Sequence, residues 1–106
     1  MKDAVIAITT TNNEREARML AERMVRERLA ACVQIVPKIQ SIYEWDGEIH
    51  NDMEHMLIIK SREECVKNLK AFMEKNHSYE VPEFLVMPVV DGLEDYFKWL
   101  KDNTKS

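Results

Sequence analysis

The stretch from Ala31 to Lys60 constrains this chain more than any other, because two long extended segments meet there at Trp45-Asp46-Gly47. Its first arm, Cys32 to Trp45, places Val33, Ile35, Ile39, Tyr43 and Trp45 on odd positions, the period of two that marks a strand with one apolar face. The second arm keeps that parity with Ile49, Met53, Leu57 and Ile59. Asp-Gly between two such runs predicts a hairpin. A two-residue loop at Asp46-Gly47 would pair Trp45 with Glu48 and mix apolar with charged residues on both faces. The parity therefore favours a three-residue loop, with Gly47 in the left-handed conformation beside a bulge. Tyr43 then faces Ile49, Ile39 faces Met53, Ile35 faces Leu57 and Val33 faces Ile59.

Such a hairpin outreaches the body it belongs to. An arm of about 15 residues spans roughly 50 Å, whereas a compact chain of this length has a diameter of roughly 35 Å. Uncovered edges carrying Ile42, Tyr43, Trp45 and Ile49 would aggregate unless another copy pairs with them, so a homo-oligomer built around the hairpin is expected. The plainer alternative is that Pro37 bends or breaks the first arm and leaves an ordinary monomer.

The length of 106 residues predicts a single domain over 1–106. A net charge of −4 argues against a nucleic-acid binder, since the arginines of the first predicted helix alternate with glutamates and form no basic stripe. After Met1-Lys2-Asp3 the apolar run is too short for a signal peptide or membrane span, which predicts a cytoplasmic protein with Cys32 and Cys65 as reduced thiols.

Ala4-Val5-Ile6-Ala7-Ile8 reads as a central strand buried on both faces. Either Thr11 with Glu14 or Asn13 with Glu16 caps the helix that follows, whose apolar stripe is Ala17, Leu20, Ala21, Met24 and Val25. After the hairpin, Ser61 with Glu64 is expected to cap a second helix lined by Cys65, Val66, Leu69, Phe72 and Met73. Phe84 to Met87 reads as a fourth strand, and Leu93, Tyr96, Phe97 and Leu100 as the stripe of a closing helix. The order strand, helix, hairpin, helix, strand, helix predicts an α+β chain on the ferredoxin-like βαββαβ plan, with a long central hairpin and a C-terminal helix.

With only two glycines there is no phosphate loop, and no catalytic constellation is recognisable. The richest polar cluster is His77-Ser78-Tyr79-Glu80-Val81-Pro82-Glu83, whose imidazole and carboxylates suit a divalent metal as well as they suit a solvated helix end. Cys32 is either a soft-metal ligand or a packed residue. Glu54 and Lys60 lie on the even face of the second arm and are placed to line a cleft.

Leu29-Ala30-Ala31-Cys32-Val33, Ser41-Ile42-Tyr43-Glu44-Trp45-Asp46-Gly47, Leu57-Ile58-Ile59-Lys60 and the His77 to Glu83 block, with Asp95-Tyr96 and Trp99-Leu100, resemble the CutA divalent-cation tolerance proteins over nearly the whole chain. The resemblance implies a cytosolic homotrimer joined through its hairpins, involved in copper binding and tolerance to divalent metal ions. It also implies an architecture similar to the PII signalling trimers, which hold small ligands in clefts between subunits. The motif differs from the family's commonest form in having Ser78 where proline is usual. Thr9 and Asn76 stand where some members carry a cysteine and a histidine.

Three readings follow. A metal-responsive trimer would use His77, Glu83 and Cys32 on copper or another divalent cation. A PII-like regulator or adaptor would bind a small molecule in an inter-subunit cleft of Tyr43, Glu54, Lys60, Tyr79 and Glu80, with Glu83 beside them. A hydrolase or isomerase would use Glu83 or Glu54 as base and Lys60 as electrostatic stabiliser, but no nucleophile–base pair is evident.

Overall fold

A computed structural model describes residues 3–105; Met1, Lys2 and Ser106 lie outside the described residues. The elements are β1 (Ala4–Thr11), α1 (Glu14–Arg26), β2 (Cys32–Trp45), β3 (Glu48–Arg62), α2 (Glu63–Asn76), β4 (Leu85–Pro88) and α3 (Glu94–Asp102). All four strands join one antiparallel sheet in the order β2-β3-β1-β4. β1 is central, as its apolar run predicts, but it continues through three threonines because β3 pairs with it as far as Thr11 opposite His55.

Of the two candidate caps for α1, Asn13 is the one that forms, its side-chain oxygen accepting the Glu16 N–H at 2.9 Å. Ala17, Leu20, Ala21 and Met24 are buried, while Val25 falls outside the stripe at 42% exposed. The cap expected at Ser61 does not form. Ser61 still pairs with Val5 in the ladder, and its hydroxyl donates to the Leu29 carbonyl at 2.6 Å. Arg62 takes the cap position without a side-chain bond to the helix, and its guanidinium instead binds the Thr104 hydroxyl at 2.7 Å and Glu64 at 3.0 Å.

Leu20 and Met24 of α1, Leu69, Phe72 and Met73 of α2, and Leu57 and Ile59 of β3 form one buried cluster, so both helices cover the same side of the sheet. Cys65 is a small residue of that core. α3 buries Phe97 and Leu100 against the sheet's other side, with Tyr96 beside Lys60, whereas Leu93 stays 81% exposed ahead of the helix. β4 begins at Leu85, one residue later than expected. No helix among the described residues is long and apolar enough to cross a membrane.

The hairpin departs from the expected register at its tip and matches it at its base. Val33 stands opposite Ile59 and Ile35 opposite Leu57, but beyond them Ile39 meets Glu54, Tyr43 meets His50 and Trp45 meets Glu48. The loop is therefore the two-residue Asp46-Gly47, with φ of 52° and 79°, the left-handed pair that a tight right-twisted hairpin needs. The bulge lies far from the loop, where Pro37 and Lys38 together oppose His55. Pro37 has no N–H for the ladder, and Lys38 takes a φ of 58° with its N–H 3.3 Å from Nδ1 of the buried His55.

One extra residue in β2 turns its odd positions over. Below the bulge they face the helices; above it Ile39, Tyr43 and Trp45 face the opposite side, together with His50 and Glu54. Ile49 and Met53 of β3 remain on the helix side, so apolar groups stand on both faces of the outer hairpin. Ile42, Trp45, Ile49 and Met53 are all more than half exposed, at 67, 57, 72 and 55%. The chain is drawn out to 45 × 25 × 22 Å.

The bulge depends on a left-handed lysine, a conformation costing an ordinary residue about 1–2 kcal/mol. Lys38→Gly is expected to leave stability unchanged or raise it by up to about 1 kcal/mol, and Lys38→Ile to lower it by more than about 1 kcal/mol, measured by denaturant unfolding.

Candidate functional site

Past the bulge, three segments meet on the sheet face opposite α1 and α2. The end of β1 supplies Thr10, and the residue just after that strand is Asn12; the outer hairpin supplies Tyr43, Trp45, His50, Asp52 and Glu54; the connection after α2 supplies Tyr79, Glu80, Val81 and Glu83. Between them lies an open groove of about 550 Å³. Lysine and arginine are absent from these lining residues, so the groove is acidic.

Two phenol–carboxylate pairs order its wall. The Tyr79 hydroxyl donates to Oε2 of Glu54 at 2.7 Å, and the Tyr43 hydroxyl donates to the Asp52 carboxylate. Burial, and then the Glu54 carboxylate it faces, push the Tyr79 phenol well above its ordinary pKa, so it stays protonated and a donor. The Asp52 bond raises the Tyr43 phenol in the same way. The Tyr43 ring stacks on His50, with centroids 5.3 Å apart.

His77 ends α2 and is buried behind this wall. Its Nε2 lies 2.8 Å from the Thr10 carbonyl, which can only accept, so Nε2 carries the proton. Nδ1 accepts the Tyr79 N–H at 3.1 Å. Both ring nitrogens are thus engaged within the chain, in the tautomer of a neutral imidazole. The next residue, Ser78, is gripped by α1: its N–H and its hydroxyl each donate to Glu16 at 2.8 Å, while the Thr11 hydroxyl donates to the same carboxylate. The Thr9 hydroxyl holds the far end of the connection through the Glu83 carbonyl at 2.6 Å.

The fold brings Tyr43, Glu54, Tyr79, Glu80 and Glu83 to one groove and takes Cys32 and Lys60 away from it. Cys32 stands opposite Lys60, and Lys60 is level with Ile6 on β1, whereas His77 reaches Thr10 four residues further along that strand. At ~3.3 Å per residue this separates them by about 13 Å along the strand alone, too far for one ion within one chain. His50, Asp52 and Trp45 complete the groove and were missing from the sequence-derived set. The signal for them is the Asp-Gly turn: the two-residue loop puts His50 directly opposite Tyr43, while the three-residue alternative sends it to the other face.

The sequence profile of the CutA1 divalent ion tolerance protein family matches residues 5–103. A chloroplastic CutA protein of Arabidopsis thaliana is 40% identical over 103 residues, which are 97% of this chain and 57% of that protein, so the chain spans little more than half the length of the plant relative. The divalent-cation tolerance protein CutA of Thermus thermophilus is 40% identical over 93% of this chain and 96% of its own length. Among solved structures, CutA1 from Oryza sativa superposes with a TM-score of 0.95 at 38% identity, covering 98% of this chain and 95% of that one.

The Glu16 latch is sensitive to acid. Burial acts to raise its carboxyl, but the bonds from Thr11 and Ser78 outweigh it and hold the pKa below its ordinary 4.5. A carboxylate so depressed stabilises the fold above the unfolded-state value and loses that contribution as pH falls through the folded value. Glu16→Gln, whose amide nitrogen cannot accept from Ser78, is expected to lower stability by about 1 kcal/mol at pH 7. The gap from wild type should narrow as pH falls below 4.5 and through the depressed pKa of Glu16, read from unfolding curves across pH.

Proposed function

The chain belongs to the CutA1 divalent ion tolerance family, and from that premise we propose that it acts in divalent-cation tolerance as a homotrimer, taking a divalent cation, copper included, into the groove between the hairpin and the 77–83 connection. The observation that carries this reading is the groove's donor set: Asp52, Glu54, Glu80 and Glu83 with the His50 imidazole, and no lysine or arginine among the lining residues. Carboxylate oxygen and imidazole nitrogen suit zinc and copper(II) alike. Among the described residues no three His, Cys, Asp or Glu side chains converge to hold an ion. A complete coordination shell therefore takes donors from a second copy, which ties metal uptake to assembly.

Assembly is supported by the outer hairpin, whose apolar residues stand uncovered on both faces, and by the open edges at β2 and β4. The strand order with α1 and α2 on one side supports a ferredoxin-like βαββαβ body. Glu83, which lines the groove, is one of the ligands in this proposal. His77 enters the shell only if an ion displaces the Tyr79 N–H from Nδ1, and Cys32 serves only an ion shared with another copy. Two free thiols, Cys32 and Cys65, favour the cytoplasm. A second reading, a PII-like regulatory or adaptor trimer, is favoured by the aromatic walls of the same groove, Tyr43, Trp45 and Tyr79, which suit a small organic ligand.

Calorimetric titration with copper(II) and zinc(II) is expected to show saturable binding that weakens about tenfold in Glu83→Gln, a loss of about 1.4 kcal/mol. Light scattering should give a trimer for the wild type and a smaller species for Ile49→Asp, which should also lose the metal. Absence of saturable binding in the wild type would sink the metal reading, and a monomeric variant that binds as tightly would sink the shared site.

A further inference from the structure

Lys60 lies apart from the acidic groove, and its surroundings have a chemistry of their own. On the face opposite α1 and α2, the start of β1, the segment after β4 and the inner side of α3 enclose a crevice of about 350 Å³. Its walls are Val5, Ile6, Val89, Leu93, Phe97 and Leu100. The wall at Gly92 is drawn in closely, since a Cβ there would stand 2.7 Å from Cζ of Phe97. Two charged groups line the crevice. Asp91 already accepts the Gly92 N–H at 2.8 Å. Lys60 holds its ammonium 5.6 Å from the centre of the Tyr96 ring, and no salt bridge among the described residues engages it.

An apolar cavity lined by a lysine that makes no salt bridge among the described residues is complementary to a ligand with an apolar body and one negative charge. We propose that this crevice binds a small amphipathic monocarboxylate, its aromatic or branched body between α3 and β1 and its carboxylate on Nζ of Lys60. The volume lies at the small end of ligand pockets, which run from about 300 to 1,000 Å³, and so selects a single ring or short branched chain. The lining offers almost no polar groups to a sugar or nucleotide. Asp91 disfavours a dianion such as a phosphate monoester, because its second charge would find no cation and one carboxylate. The half-buried position of Lys60 matters as well, since a charge-assisted hydrogen bond gains strength away from bulk water. This site is independent of the metal groove, which lies toward the other end of β1.

The test uses the full chain in its assembled state, titrated with 3-phenylpropionate and, separately, with the neutral 3-phenylpropan-1-ol, followed by calorimetry and amide chemical shifts. Saturable binding of the acid is expected, with shifts at Lys60, Leu93 and Tyr96 and not at Tyr79 or Glu80. Lys60→Met, which keeps the apolar stem and removes the charge, should weaken the acid about tenfold or more and leave the alcohol unchanged. Circular dichroism and light scattering confirm that the variant keeps its fold and assembly. Failure of the acid to saturate overturns the proposal. Equal affinity of acid and alcohol, undiminished acid binding in Lys60→Met, or shifts confined to the Tyr79 groove would each overturn it too.

Discussion

Two residues of β2 oppose one residue of β3 at Pro37, Lys38 and His55, and the surface of the outer hairpin follows from that mismatch. Without it, every odd residue of the first arm would stay on the helix side, and the groove would lose Tyr43 and Trp45 from its hairpin wall. The bulge costs a ladder bond and a left-handed lysine. Its compensation is local: the buried imidazole of His55 accepts the freed Lys38 amide, so the irregularity is hydrogen-bonded.

The same mismatch accounts for the exposed apolar surface of the outer hairpin. Below the bulge the hairpin has one apolar face, covered by α1 and α2, and behaves as part of the core. Above it the apolar residues of β2 and of β3 point in opposite directions, and neither set has a helix to cover it. Packing of the hairpin under α1 and α2 therefore ends near Val36, and what lies beyond presents apolar residues on two faces that another molecule can cover.

The connection after α2 shows how a segment with little regular structure is nevertheless held. A carboxylate from α1 grips Ser78, the β1 backbone accepts from His77, and a β1 threonine holds the Glu83 carbonyl. These bonds cost His77 its free nitrogens but keep Tyr79, Glu80 and Glu83 directed at the hairpin. A histidine beside acids in sequence suggests a ligand set; here its first duty is to join a helix end to the sheet.

Much of the fold was legible in the residues themselves. Apolar spacing located the strands and helices, Thr11 or Asn13 marked the start of α1, Asp46-Gly47 marked the turn, and the cleft expected from the sequence grouped Tyr43, Glu54, Tyr79 and Glu80, with Lys60 among them. These features are local, set by side-chain period and turn chemistry within a few residues. The tip register, the recruitment of His50 and Asp52, the engaged nitrogens of His77 and the removal of Lys60 to a separate crevice were decided only in three dimensions. The physical reason is that each arm keeps its own parity whatever it is paired with. Which face that parity meets depends on an extra residue at Pro37-Lys38, admitted because a histidine on the partner strand can satisfy the amide it frees.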